Sequence, residues 1–218
     1  DIPDCILESL VAGVNKYDRR LSSNVFNISF CQKPELLSQW RGYANTQGVC
    51  LEFDKKELLD SLNFEDRDHV AAGVIYSSKD NQGTPVTQIK ELLKKIQTSN
   101  SKGYGDYLDA ASAGEFLSKL IPFMKNDSFI EEKEFRIVIY SWERIHGLNF
   151  RVNKNGLIPY IEVSGRKDND KRGNIPIKKV TIGPGPRTDF MAQGVRRFLD
   201  YNFYRDTEVE QSQTPYRG

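Results

Sequence analysis

The segment spanning residues 27–53, NISFCQKPELLSQWRGYANTQGVCLEF, constrains the chain more than any other. Its opening alternates: Phe26, Ile28 and Phe30 fall on one side of an extended strand, and Val25, Asn27 and Ser29 on the other. The apolar side has to be core, so Asn27 and Ser29 point together toward solvent or a cleft. Leu36, Leu37, Trp40, Tyr43 and Ala44 then recur at helical spacing. Pro34 suits the first turn of that helix, Glu35 its positive end, and Gly48 its termination. Residues 49–53 return to period two. The pattern predicts a strand–helix–strand unit whose polar face walls a ligand site, and spacing alone does not name the ligand.

The remaining chain reads as further helices and strands. Asp54, with Glu57 three residues on, forms a capping box for a helix running to about Leu62. Apolar stripes predict helices over residues 4–15, 84–96, 106–125 and 188–201. Period-two or short apolar runs predict strands over 69–76, 135–140, 157–163, 180–182 and 207–211, with Pro159 marking an edge. Helices cluster in the first half and strands recur throughout, which favours α+β over alternating βαβ, as one domain across residues 1–218.

Composition narrows the function classes. Among 218 residues, 31 basic side chains balance 30 acidic ones for a net charge of +1. Nucleic acid is therefore not drawn by a global field, which leaves room only for a local basic groove. No apolar run reaches the roughly 20 residues of a spanning helix, so no membrane partner is expected. Cys5, Cys31 and Cys50 are an odd set without CxxC spacing, and a reducing cytoplasm is the expected location. With only His69 and His146, no metal site is expected. The chain starts at Asp1 rather than Met, which sets the expectation that an upstream segment is missing.

Chemistry concentrates in residues 131–136, EEKEFR. Along an extended chain Glu132, Glu134 and Arg136 project to one side, and Phe135, Ile137 and Ile139 to the core side. Two carboxylates and a guanidinium on one face suit a ribose and a developing cation. They equally suit a solvated edge with cross-strand ion pairs. A different grouping, Asp127 with Glu131 and Lys133, has the spacing of a metal-dependent nuclease in which carboxylates hold Mg²⁺ and the lysine positions water. Gly183-Pro-Gly-Pro before a helix offers amides to a phosphate, but its prolines favour a rigid turn. Cys31 reads as a small buried hydrophobe. Trp40 and Tyr43 suit either base stacking or the core, with helical spacing favouring the core.

Together, Ser29-Phe-Cys, Leu36-Leu-Ser-Gln-Trp-Arg-Gly-Tyr-Ala and Gly48-Val-Cys-Leu-Glu-Phe resemble the bacterial family catalogued as domain of unknown function 2971. Glu132-Lys-Glu-Phe-Arg, Ile182-Gly-Pro and Ser212-Gln-Thr-Pro-Tyr-Arg follow in that family's order. Its opening His-Tyr strand and Asn-Asp block have no counterpart here, and Cys31 stands where serine is usual. The block order is similar in turn to the ADP-ribosyltransferase fold. That resemblance implies a mixed or antiparallel split sheet with flanking helices. It implies cleavage of the nicotinamide–ribose bond of NAD and transfer of ADP-ribose to a protein or nucleic-acid acceptor, as in a toxin or phage-defence effector. Ser29, Glu132 and Glu134 carry over as catalytic residues. Trp40, Arg41, Tyr43 and Arg136 are the residues assigned to NAD contact. A non-catalytic module that keeps the fold and binds a partner chain is the third reading beside transferase and nuclease. The transferase reading requires Ser29 and Glu134 on adjacent strands, opening on one cleft.

Overall fold

Seven residues, Glu134–Tyr140, form the strand around which one unit of the protein is built. The computed structural model describes residues 25–44, 47–65, 67–77, 119–140, 148–154, 156–166 and 173–215. These fall in two units, Asp1–Gln32 with Phe64–Glu162, and Lys33–Asn63 with Val163–Gly218. The expected helices over 4–15 and 84–96, and residues 106–118 of the next one, lie outside the described residues.

In the first unit, strand β1 (Val25–Cys31) and strand β4 (Asp68–Gly73) both pair antiparallel with β7 (Glu134–Tyr140), in the order β1-β7-β4. As the middle strand, β7 is covered on both faces, which explains its nearly unbroken apolar run. Ile137 and Val138 are fully buried and Ile139 almost so. Val138 and Tyr140 pack with Val70, Ala72, Ile75, Leu120 and Phe123 in one core cluster. Alternation puts Glu134 and Arg136 on that same face of the strand. This corrects the expectation that the charged face lies opposite the core: the ion pair forms the polar end of a core face.

The strand expected over 69–76 is two strands. Val74 breaks it, its N–H bonding the Glu134 carbonyl at 2.9 Å. Strand β5 (Ile75–Ser77) then pairs in parallel with β6 (Met124–Asn126), placing Tyr76 opposite Lys125. The helix expected to reach Lys125 gives way after Leu120 to a 3₁₀ turn, Ile121–Phe123, with Pro122 in it. Lys125 is thereby moved from a helix to a strand, because proline supplies no amide to continue the helical ladder. A second 3₁₀ turn, Asp127–Glu132, is capped by the Asn126 side chain, which accepts from Ser128 N–H at 3.0 Å. Lys133 closes it in the left-handed region at φ 43°. A hairpin that the sequence reading saw only in its second half, β8 (Leu148–Asn153) with β9 (Gly156–Ile161), completes the unit. Gly156 supplies its turn with φ 112°.

The second unit holds a mixed sheet, β12-β11-β2, formed by β2 (Val49–Glu52), β11 (Lys179–Ile182) and β12 (Glu208–Gln211). β11 runs parallel to β12 and antiparallel to β2. Helix α3 (Thr188–Tyr201) makes the crossover between the parallel pair, with the bounds its amphipathic stripe predicts. Its Met191, Ala192, Val195 and Leu199 cover Val180 and Ile182. Helix α2 (Lys55–Ser61) starts at Asp54, whose carboxylate accepts from Lys56 and Glu57 N–H at 2.9 Å, as its capping pattern predicts. Strands β3 (Leu62–Asn63) and β10 (Ser164–Gly165) form a short antiparallel pair.

Helix α1 (Leu37–Tyr43) is shorter than expected. Glu35 takes φ 57° in the preceding turn, so no carboxylate lies in the helix's first turn. Of its apolar stripe only Trp40 is buried, while Leu37 and Tyr43 are exposed. Gly48 serves close packing rather than helix termination: a Cβ there would lie 2.6 Å from that of Ala44. The described chain is thus α+β with open mixed sheets, and among its described residues no helix is long and apolar enough to cross a membrane.

Candidate functional site

The register of β1 on β7 sets Ser29 opposite Arg136 and Cys31 opposite Glu134, so all four share one face. The expected adjacency of the Ser29 and Glu134 strands is therefore present. Ser29 lies on the neighbouring strand beside the Glu134 carboxylate, where its hydroxyl favours the charged form, and Asn27 Nδ2 donates to Ser29 Oγ at 3.2 Å. Ser29 and Cys31 are exposed, whereas Glu134 is 5% exposed. The face therefore grades from an open rim on β1 to a closed interior on β7. The exposure of Cys31 corrects its expected burial: β1 is an edge strand, and on the face Cys31 shares, the core cluster covers Val25 at the other end of the strand.

Glu134 is held from three directions. Arg136 reaches it with two nitrogens, Nε to Oε1 at 2.7 Å and Nη2 to Oε2 at 3.0 Å, the fork geometry that makes such pairs strong. Arg136 Nη1 donates to the Pro122 carbonyl. Lys125 Nζ lies 3.0 Å from Glu134 Oε2 and 2.6 Å from Glu132 Oε2, bridging the two carboxylates. The same ammonium lies 4.7 Å from the centre of the Phe129 ring. The Glu134 amide donates to Tyr76 Oη at 2.8 Å, fixing the backbone beneath the carboxylate. Two carboxylates and two cations balance inside a half-buried pocket of polar atoms, where each charge depends on the others.

Burial alone would push the Glu134 carboxyl up, but hydrogen bonds from Arg136, Ser29 and Lys125, with the Arg136 charge, outweigh it. They hold it at about 2, below its ordinary 4.5. Burial likewise works against the Lys125 ammonium, and its bonds to Glu132 and Glu134 overcome that and raise it. Glu134 is therefore a fixed anion at neutral pH: a poor proton acceptor, and a good counter-charge for a cation that forms beside it.

The structure gathers Ser29, Glu132, Glu134 and Arg136 as the sequence pattern proposes, with one change of route. Glu132 is the last residue of a 3₁₀ turn rather than part of the strand, and the left-handed Lys133 swings it back to Lys125. Arg136 is committed to Glu134 and Pro122, so its place is holding the carboxylate. Trp40, Arg41 and Tyr43 belong to the second unit. Trp40 is core there: a Cβ on Gly183 would come within 2.7 Å of its ring. Gly183-Pro-Gly-Pro is a rigid turn into α3, with the Gly183 amide bonded to Gly48 O at 2.8 Å. Lys125 and Tyr76 are the residues that local sequence reasoning missed, and Pro122 was the signal for the first of them. Among the described residues, no group of three His, Cys, Asp or Glu side chains is placed to hold a metal ion. Asp127 and Glu131 both fall on the 3₁₀ turn Asp127–Glu132, and Lys133 closes that turn.

Residues 39–137 match the family model described as Protein of unknown function (DUF2971). The match covers a little under half of the chain and supports the family resemblance read from the sequence blocks. It takes in Tyr76, Lys125, Glu132, Glu134 and Arg136, and it begins after Ser29. No curated protein and no solved structure matches the chain.

Proposed function

We propose that the Ser29–Glu134 cluster is the centre of an NAD-cleaving ADP-ribosyltransferase with an ADP-ribosyltransferase-like split-sheet core. The observation that carries this reading is the buried Glu134, ionised at neutral pH and flanked by an exposed serine on the neighbouring strand and a second carboxylate two residues before it. Heterolysis of the nicotinamide–ribose bond leaves its electron pair on the nicotinamide nitrogen and positive charge on the ribose. A fixed anion stabilises that charge without moving a proton. The ribose approaches from the β1 rim, and its 2′-hydroxyl reaches Glu134 beside the Ser29 hydroxyl. Ser29 then turns to the ribose. The acceptor, a protein or nucleic-acid group, adds to the sugar carbon and gives up its proton toward Glu132. Arg136 and Lys125 keep the carboxylates aimed.

The test is release of nicotinamide from NAD by the purified chain, with transfer of labelled ADP-ribose to cell-extract acceptors. Ser29→Ala is expected to slow release roughly 10- to 1000-fold, the range of a lost positioning or charge-stabilising contact, and Glu134→Gln to abolish it. No nicotinamide released and no acceptor labelled would sink the proposal.

The closure of the same cluster favours a second reading. Arg136 and Lys125 already occupy both oxygens of Glu134. A carboxylate so satisfied also serves as a staple in a non-catalytic module that binds a partner chain. That reading predicts no turnover of NAD and a partner recovered equally by wild type and Ser29→Ala.

A further inference from the structure

Outside the Glu134 cluster, helix α3 carries a surface where exposed rings and cations lie together. Helix α3 covers the β12-β11-β2 sheet with Met191, Ala192, Val195 and Leu199, yet its adjoining side bears Phe190, Phe198 and Tyr201 at 75%, 67% and 82% exposure. At about 100° per residue, these three share a sector with Arg187, Gly194 and Arg197. Asp189 and Asp200 fall to another side of the helix, where they bond Gln211 and Arg196. Arg205, in the turn after the helix, adds a third cation beside the exposed Asp206. Arg187, Arg197 and Arg205 are all exposed and have no ion-pair partner among the described residues.

The end of the helix adds an independent sign. Tyr204 N–H bonds Leu199 O at 2.8 Å and Phe203 N–H bonds Asp200 O at 3.2 Å, the two closing bonds of a Schellman motif. Its left-handed position, normally glycine, is Phe203 at φ 67°, and the ring is 54% exposed. A bulky residue there costs backbone energy that glycine would not.

We propose that this side of α3 binds single-stranded nucleic acid, its aromatic rings stacking on bases while Arg187, Arg197 and Arg205 meet phosphates. Phe198 and Tyr201 lie about 4.5 Å apart along the axis and Phe190 about 12 Å before Phe198, so the rings form a row that an extended strand can follow. A second copy of the chain is a poor occupant, because a two-fold contact sets the same arginines against each other. A lipid surface favours segregated apolar and basic bands, whereas here Arg187 and Arg197 interleave with the rings. The inference stands on α3 and does not depend on the NAD reading.

The test is fluorescence anisotropy of the full chain with dye-labelled oligothymidylate and oligouridylate of about 15 nucleotides. Binding is expected to weaken with salt at a log–log slope of about −2, set by three phosphate contacts, and Arg197→Gln to reduce that slope by about 0.7. Phe198→Ala and Tyr201→Ala are each expected to weaken binding roughly 5- to 100-fold. Both side chains are largely exposed, so these variants keep the melting temperature and a loss of binding is not loss of fold. No binding of either oligonucleotide at low salt, or affinity unchanged in both aromatic variants, overturns the proposal. So does a mass doubling in sedimentation that Phe198→Ala removes, or anionic-vesicle binding where the oligonucleotides do not bind.

Discussion

The Glu134 cluster and the outer side of α3 use the same kinds of residue in opposite ways. In the first unit, Lys125 and Arg136 are largely buried, and each is spent on a carboxylate within 3.0 Å. In the second, Arg187, Arg197 and Arg205 are exposed and meet no carboxylate among the described residues. Charge that is closed on itself fixes geometry, and the protein's stability depends on it. Unpaired charge adds little to stability and is available to something else. The contrast separates what stability measurements detect from what binding measurements detect.

The largest effect expected from breaking this contrast is Glu134→Ala. It leaves Arg136 without a carboxylate and Lys125 with Glu132 alone, and should cost about 3–5 kcal/mol, read as a lowered denaturant midpoint with the slope unchanged. A loss below about 1 kcal/mol would mean that the cluster is far better hydrated than its burial indicates.

Acid gives the next effect. Glu134 has a folded value of about 2, below its ordinary 4.5, so its contribution is fully present above about pH 5. It is lost as pH falls through 4.5 toward 2, by roughly 3 kcal/mol in all. Urea titrations across that range should show the loss, and Glu134→Gln should flatten it. An unchanged acid limb in the variant would assign acid sensitivity to other carboxylates.

The smallest effect sharpens the other half of the comparison. Arg197→Gln should move stability by no more than about 0.5 kcal/mol, because nothing in the fold leans on it. A larger loss in thermal unfolding would show that the α3 arginines are structural after all.

How far the sequence reached follows from how local each signal is. Helix α3, the Asp54 cap and the strands β1, β11 and β12 were legible because period and capping act within a few residues. The Ser29–Glu134 pairing was legible only through the family blocks, since nothing local joins residue 29 to residue 134. Lys125 was misplaced because the apolar stripe before it masked the break at Pro122. Tyr76 reaches Glu134 only through the parallel pairing of β5 with β6, which no periodicity reports. Glu35 and Lys133 adopt left-handed backbone without glycine, and this moved a helix start in one case and redirected Glu132 in the other. The α3 arginines were invisible to a net charge of +1, because a balanced total conceals where each charge sits.

The pairing of β1 with β7 joins Ser29 to Arg136 across roughly a hundred residues of chain. During synthesis at about 5–20 residues per second, β1 leaves the ribosome some 5–20 seconds before its partner exists. For that interval a strand of Val, Phe, Ile and Phe waits with nothing to pair against. Asn27 and Ser29 interrupt its stickiness as gatekeepers do. The polar pair that lines the site thus has an earlier task, keeping a nascent strand soluble until β7 arrives.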